Sequence, residues 1–206
     1  MQRKLIFFLG LFYLVGIVGM SISSIRSFFV DLSFFHLLLS FLVLLFSRKK
    51  YGLTFWMFLG LSFLIGMAAE WVGVHTGLLF GNYHYGSVLG PKILAVPFII
   101  GMNWAMLSII SAALIEKLNL KAWLEILIAA VLMVFLDFLM EPVAMKLHFW
   151  NWKNQEIPLY NYVCWLAISI LIQALYKRWH LNETNKVAIA LFFFLTAFFS
   201  ILNLQL

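Results

Sequence analysis

Long apolar runs separated by short polar interruptions dominate the chain. Runs at residues 5–21, 28–46, 53–74, 93–115, 123–145, 160–176 and 187–204 carry almost no charge. Each approaches the about 20 apolar residues that a helix needs to cross a bilayer. The pattern predicts an all-α fold: a polytopic membrane bundle of about seven transmembrane helices. No linker-like, repeated or low-complexity stretch divides it, so residues 1–206 read as a single integral membrane domain. The first run follows Arg3 and Lys4, as in a signal peptide. Met20-Ser21-Ile22-Ser23 is a poor small-x-small cleavage site, however, so a retained helix is expected.

Composition agrees with this reading. Only 11% of residues are charged, against about 25% in soluble domains, and the mean hydropathy is +1.02. Water is not the main solvent for such a surface. The net charge of +6 comes from basic residues lying between apolar runs, which makes them topology signals rather than a nucleic-acid footprint. On alternate connections, Arg3, Lys4, Arg48, Lys49, Lys50, Lys117, Lys121, Lys177, Arg178 and Lys186 share one side. The remaining four of the 14 basic residues, Arg26, Lys92, Lys146 and Lys153, lie on the other. The positive-inside rule then places the N-terminus in the cytoplasm and the C-terminus outside. The single Cys164 excludes an intrachain disulfide and a Cys-rich metal site, and reads as a packing residue.

The two long outer connections differ from the short charged inner ones. One runs from Gly73 through His75, Thr76, Gly77, Phe80, Gly81, Tyr83, His84 and Tyr85 to Gly90-Pro91. The other runs from Leu147 through Phe149-Trp150-Asn151-Trp152 to Ile157-Pro158 and Asn161. Glycine opens backbone conformations closed to other residues and proline fixes φ, so such loops can re-enter the interface and line a cavity.

Acidic residues at membrane depth are costly, at about 2.5 kcal/mol or more near a helix centre, and are candidates for function. Glu70 lies near the outer end of the third predicted helix. Asp137 and Glu141, four residues apart, share a face near the outer end of the fifth. All three should lie within about 12 Å of the outer surface and share one cavity. Asp31 reads as a helix-start residue. Asn103 and Trp104 lie in the fourth helix, and Asn161 and Trp165 share a face of the sixth. Trp71, Trp150 and Trp152 read as interfacial-belt aromatics. His75 and His84 are nine residues apart, which matches no recognised metal pattern, and His36, His148 and His180 add no signal.

Buried carboxyls among aromatics suit acid catalysis on a lipid. Desolvation keeps a carboxyl group protonated near neutral pH, and a protonated acid can donate to an alkene. Indole and phenol faces and a neighbouring carboxylate stabilise the resulting cation, and activated water captures it. No cofactor or metal is needed. Proton-coupled transport uses the same residue types, but the inner halves of these helices are poor in polar residues. A non-catalytic pigment-binding subunit also stays open. Run 187–204 lacks the lysine a retinal Schiff base needs, and no DDxxD, HExxH or nucleophile-elbow motif occurs.

Two blocks carry a resemblance. The first is Glu70-x-x-Gly73-x-x-Thr76-Gly77-x-x-Phe80-Gly81-x-Tyr83-x-Tyr85, followed by Leu89-Gly90-Pro91, Val96-Pro97 and Trp104. The second is Asp137-x-x-x-Glu141-Pro142, Phe149-Trp150-Asn151-Trp152 and Ile157-Pro158-x-x-Asn161-x-x-x-Trp165. Together they resemble the CruF-type carotenoid biosynthesis family over residues 60–170. Two positions depart from the family pattern: Glu141-Pro142 stands where Asp-Pro is usual, and Gln155-Glu156 stands where a glycine usually precedes Ile-Pro. The resemblance implies a multi-pass protein of a bacterial or archaeal cell membrane. It implies hydration of the terminal C1–C2 double bond of an acyclic carotenoid end group, on substrates such as lycopene, γ-carotene or bisanhydrobacterioruberin. Asp137 is then the expected proton donor and Glu70 or Glu141 positions water. Phe80, Tyr83, Tyr85, Asn103, Trp104, Asn161, Trp165, His75 and Thr76 are expected at the substrate. The partner is a carotenoid within the bilayer, with association with other pathway enzymes left open.

Overall fold

The structure is a computed structural model that describes residues 2–181 and 183–206. Six helices are long and apolar enough to cross a membrane: α1 (Gln2–Ser21), α4 (Leu53–Thr76), α5 (Phe98–Ile115, extended by a 3-10 turn to Leu118), α6 (Ala122–Lys146), α7 (Leu159–Arg178) and α8 (Lys186–Gln205). The second predicted span is not one helix. It breaks at Leu32 into α2 (Arg26–Asp31) and α3 (Ser33–Ser47). The 15 residues of α3 rise only about 22 Å, short of an apolar core of about 30 Å. Asp31, expected to open a helix, instead ends α2 and is exposed. Arg26 holds the turn before α2. Its guanidinium donates to the Met20 and Ser21 carbonyls at 2.7 and 3.3 Å, satisfying acceptors that the end of α1 leaves open.

The fourth predicted helix also starts later than its apolar run. Residues 92–97 fold into a minimal hairpin, β2 (Lys92–Ile93) against β3 (Val96–Pro97), turning through Leu94 and Ala95 at φ 49° and 68°. Helix α5 follows Pro97 and forms the axis of the bundle. Within its membrane-length window 78% of residues are buried, against 28% in α1 and 33% in α4 and α6. Gly101, Ala105, Ser108, Ser111, Ala112 and Ala113 keep its surface narrow, so α3, α4, α6, α7 and α8 all reach it. Cys164 is buried in the packing.

The two ends of the bundle differ. At the end bearing the short charged connections, Arg48 pairs with Glu183 at 3.4 Å, donates to the Leu181 carbonyl and lies 4.1 Å over the Phe55 ring. Asn185 caps α8 there, accepting from the Val187 and Ala188 amides. At the opposite end the two long connections meet. The segment after α4 supplies β1 (Tyr83–Tyr85) and the segment after α6 supplies β4 (Trp150–Trp152), paired antiparallel with Tyr83 opposite Trp152 and Tyr85 opposite Trp150. The loops are one joined structure rather than two separate flaps.

Candidate active site: a carboxyl cavity beneath an aromatic lid

Successive side chains of a strand point to opposite faces. In β1 and β4 this sends Tyr83, Tyr85, Trp150 and Trp152 to one face and leaves His84 and Asn151 on the other. The four rings cover the ends of α4 and α6, with Tyr83–Trp152 centroids at 5.0 Å and Tyr85–Trp150 at 6.0 Å. Each strand serves one carboxyl group. Tyr83 and Tyr85 of β1 both donate hydroxyl hydrogens to Glu70 Oε2 on α4, Tyr85 at 2.8 Å. The Trp150 and Trp152 indoles of β4 donate to Glu141 Oε2 on α6, at 2.9 and 2.8 Å. Burial, reinforced by the neighbouring Glu70, pushes the phenols of Tyr83 and Tyr85 well above their ordinary range, so both stay protonated and donate.

Helix α4 provides a smooth floor. Gly66 and Gly73 lie four residues before and three after Glu70, on the same face. A Cβ at Gly66 would stand 2.5 Å from the Trp104 indole, and one at Gly73 would stand 2.7 Å from the Tyr83 hydroxyl. These glycines let both rings reach across the helix to its carboxylate. Trp104 Nε1, from α5, gives Glu70 its third donor, on Oε1 at 3.0 Å. Its indole stacks on Trp165 of α7, with centroids 3.8 Å apart and planes at 15°. Phe80 completes this wall. It turns inward from a left-handed backbone position at φ 63° and is 1% exposed, a conformation uncommon for a bulky residue outside functional loops.

Asp137 is one turn deeper than Glu141 on α6 and only 1% exposed. Its contacts differ from those of the glutamates. The Asn161 amide of α7 donates at 3.0 Å to Asp137 Oδ2 and at 3.2 Å to Glu141 Oε1, bridging the two acids. Among the described residues this is the one hydrogen bond to Asp137, whereas Glu70 and Glu141 each accept three.

Glu70, Asp137, Glu141, Phe80, Tyr83, Tyr85, Asn103, Trp104, Asn161 and Trp165 line a single cavity, joined by Ile100, Met140, Trp150 and Trp152. Two of the expected substrate residues are elsewhere. His75 and Thr76 are exposed on the last turn of α4, where Nδ1 of His75 pairs with the Trp71 carbonyl and the Thr76 hydroxyl donates to the Val72 carbonyl. They lie beyond the carboxyl-bearing face, and the local backbone satisfies them. Trp150 and Trp152 correct the sequence reading in the opposite direction: they are not belt aromatics but donors to Glu141. The signal that could have found them is the repeated aromatic-x-aromatic pattern, Tyr83-His84-Tyr85 and Trp150-Asn151-Trp152, which is a strand alternation in miniature. Trp71 is 43% exposed, as a belt residue should be.

An apolar helical bundle holding three carboxyl groups and a cluster of indoles and phenols defines a protein that works on hydrocarbon within a membrane. The chain matches the model of the carotenoid biosynthesis protein family over residues 8–206, and belongs to that family. It is also 30% identical over 121 residues to a protein of Haloarcula japonica named bisanhydrobacterioruberin hydratase. That alignment covers 53% of this chain and 41% of the relative. No solved structure matches the chain.

Proposed function

We propose that this protein is a carotenoid hydratase, adding water across the terminal C1–C2 double bond of an acyclic carotenoid end group. Family membership and the hydratase name of the Haloarcula japonica relative support this reading. The observation that carries it is the unequal hydrogen bonding of the three buried acids. Donors favour the charged form of the carboxyl group they contact. Glu70 and Glu141 each have three, while Asp137 has one. Asp137 is therefore assigned the proton, and the two glutamates the negative charge.

The reaction follows from these roles. The alkene π pair takes the Asp137 proton at C2, and the positive charge settles on the tertiary C1. Glu70 and Glu141 offset that charge, and the Trp104 and Trp165 ring faces add cation–π stabilisation. Water, oriented by the Asn161–Glu141 side of the cavity, adds its oxygen to C1. The proton it sheds passes to a carboxylate and restores Asp137. The net change is one water gained, as a tertiary alcohol, with the protein unchanged. No redox partner is required by this balance.

The test is expression in a bacterium that accumulates lycopene or γ-carotene, followed by pigment extraction. A product heavier by one water, lost in Asp137→Asn, is expected. Unaltered pigment across several acyclic substrates would overturn the reading in favour of a non-catalytic pigment-binding protein or a transporter.

A further inference from the structure

The carboxyl cavity continues into a second chamber. Ile100, Asn103, Met140 and Trp150 wall both, and the second is otherwise bounded mainly by apolar and aromatic side chains, among them Tyr13, Leu37, Leu89 and Phe198. Met20 and His36 in turn belong to both this chamber and a third space between α1 and the α2–α3 break. The free volumes of these two spaces, about 590 and 810 Å³, fall within the about 300–1,000 Å³ usual for ligand sites. The third space is open at the side of the bundle. Phe12, Val15, Leu32 and Phe35 line it and are 38–62% exposed on a surface that faces hydrocarbon. We propose that these connected spaces form one apolar conduit that holds the polyene chain of the substrate, which enters sideways from the lipid between α1 and α2–α3 and presents its terminal double bond to Asp137.

Three features support this path. The broken second span is what leaves the side opening, since a continuous helix through Leu32 would run alongside α1. The conduit carries aromatic faces for a conjugated chain: Tyr13, His36 and Phe198 meet edge to face with centroids at 4.5, 5.7 and 5.8 Å. Finally, the Ser33 hydroxyl and His36 Nε2 are buried without any hydrogen-bond partner, and both residues line the conduit, Ser33 at 5% exposure. Buried polar atoms are nearly always satisfied, so an occupant must meet them. The lid end is left for water: Trp152 separates the carboxyl cavity from a surface cleft at Gly81, Asn82, Lys153 and Pro158.

This inference rests on the hydratase reading but fails separately from it. The test uses the full chain in detergent micelles, with lycopene as the long probe and 2-methylhept-2-ene, which has the same end group and no polyene, as the short one. Met20→Trp and Leu37→Trp fill the conduit at two points, and Leu64→Trp, on a lipid-facing surface 60% exposed, is the control. Elution profiles verify folding. The conduit predicts that co-eluting lycopene and its hydration fall to background in both filled variants, while hydration of the short alkene persists. Wild-type handling of lycopene by both filled variants overturns the conduit and leaves the hydratase standing. So does a parallel loss of long and short substrates in two folded variants. Lycopene that binds the wild type in a Met20- and Leu37-dependent way, with neither alkene hydrated, upholds the conduit and overturns the reaction.

Discussion

Gly66→Ala offers a sharp test of how α4 builds the site, because a matched control lies on the same helix. The added methyl would stand 2.5 Å from both Cγ and Cδ1 of Trp104, so the indole must retreat by about 1 Å to reach ordinary carbon–carbon contact. Retreat from α4 is also retreat from Glu70. The 3.0 Å bond from Trp104 Nε1 would stretch to about 4 Å and cease to be a hydrogen bond. The stack on Trp165 would be disturbed at the same time. A lost bond to a charged group costs about 1.5–3 kcal/mol and overpacking about 1–3 kcal/mol, offset by about 1 kcal/mol of helix propensity. The expected destabilisation is about 1.5–5 kcal/mol. Gly60→Ala meets nothing within 4 Å and should be neutral or stabilising by about 0.5–1 kcal/mol. Thermal unfolding of the detergent-solubilised protein, followed by intrinsic fluorescence, measures both, and pigment conversion reports the site. The effect should shrink in a Trp104→Phe background, where the bond is already gone. Equal stability and conversion for the two alanine variants would refute the argument that Gly66 exists to let Trp104 reach Glu70.

Asp137→Asn should lower pigment hydration by about 10²–10⁴-fold without loss of folded protein, because the new amide oxygen can still accept from Asn161; conversion above a tenth of wild type would move the acid role to another group. Trp152→Phe removes one of three donors to the buried Glu141 and should cost about 1.5–3 kcal/mol in unfolding experiments, while Trp71→Phe at an exposed position should not register. Gly86→Ala would set a Cβ 2.0 Å from the His148 carbonyl oxygen beside the 2.9 Å Gly86–Phe149 backbone bond, so limited proteolysis should show faster cleavage in both lid segments at once. His75→Ala and Thr76→Val should leave conversion and stability within about 0.5 kcal/mol of wild type, measured in the same pigment assay.

Much of the site was legible in the chain because the membrane makes polar residues conspicuous. Glu70, Asp137 and Glu141 stand out in runs where a carboxyl group is costly, and a four-residue spacing fixes Asp137 and Glu141 to one face whatever surrounds them. Helical spacing likewise paired Asn161 with Trp165. Proximity in sequence misled at His75 and Thr76. They sit within the conserved-looking first block, yet the turn after Glu70 carries them past the cavity, where the helix's own carbonyls satisfy them.

The sequence by itself determined that this is an apolar helical bundle, which end of it carries the buried acids, and that aromatic loops lie beside them. Those properties depend on local period and on transfer energies, which each segment expresses alone. Tertiary structure decided the rest. The antiparallel pairing of Tyr83–Tyr85 with Trp150–Trp152 joins segments more than 60 residues apart, and no local pattern specifies that register. The same pairing turned two tryptophans from surface aromatics into ligands of Glu141. The break at Leu32 lies inside a run whose hydropathy continues without interruption, because hydrophobicity measures the solvent of a segment and not its path. The difference between Asp137 and its two neighbouring acids was likewise invisible in the chain, since it resides in which distant N–H and O–H groups reach each carboxyl group.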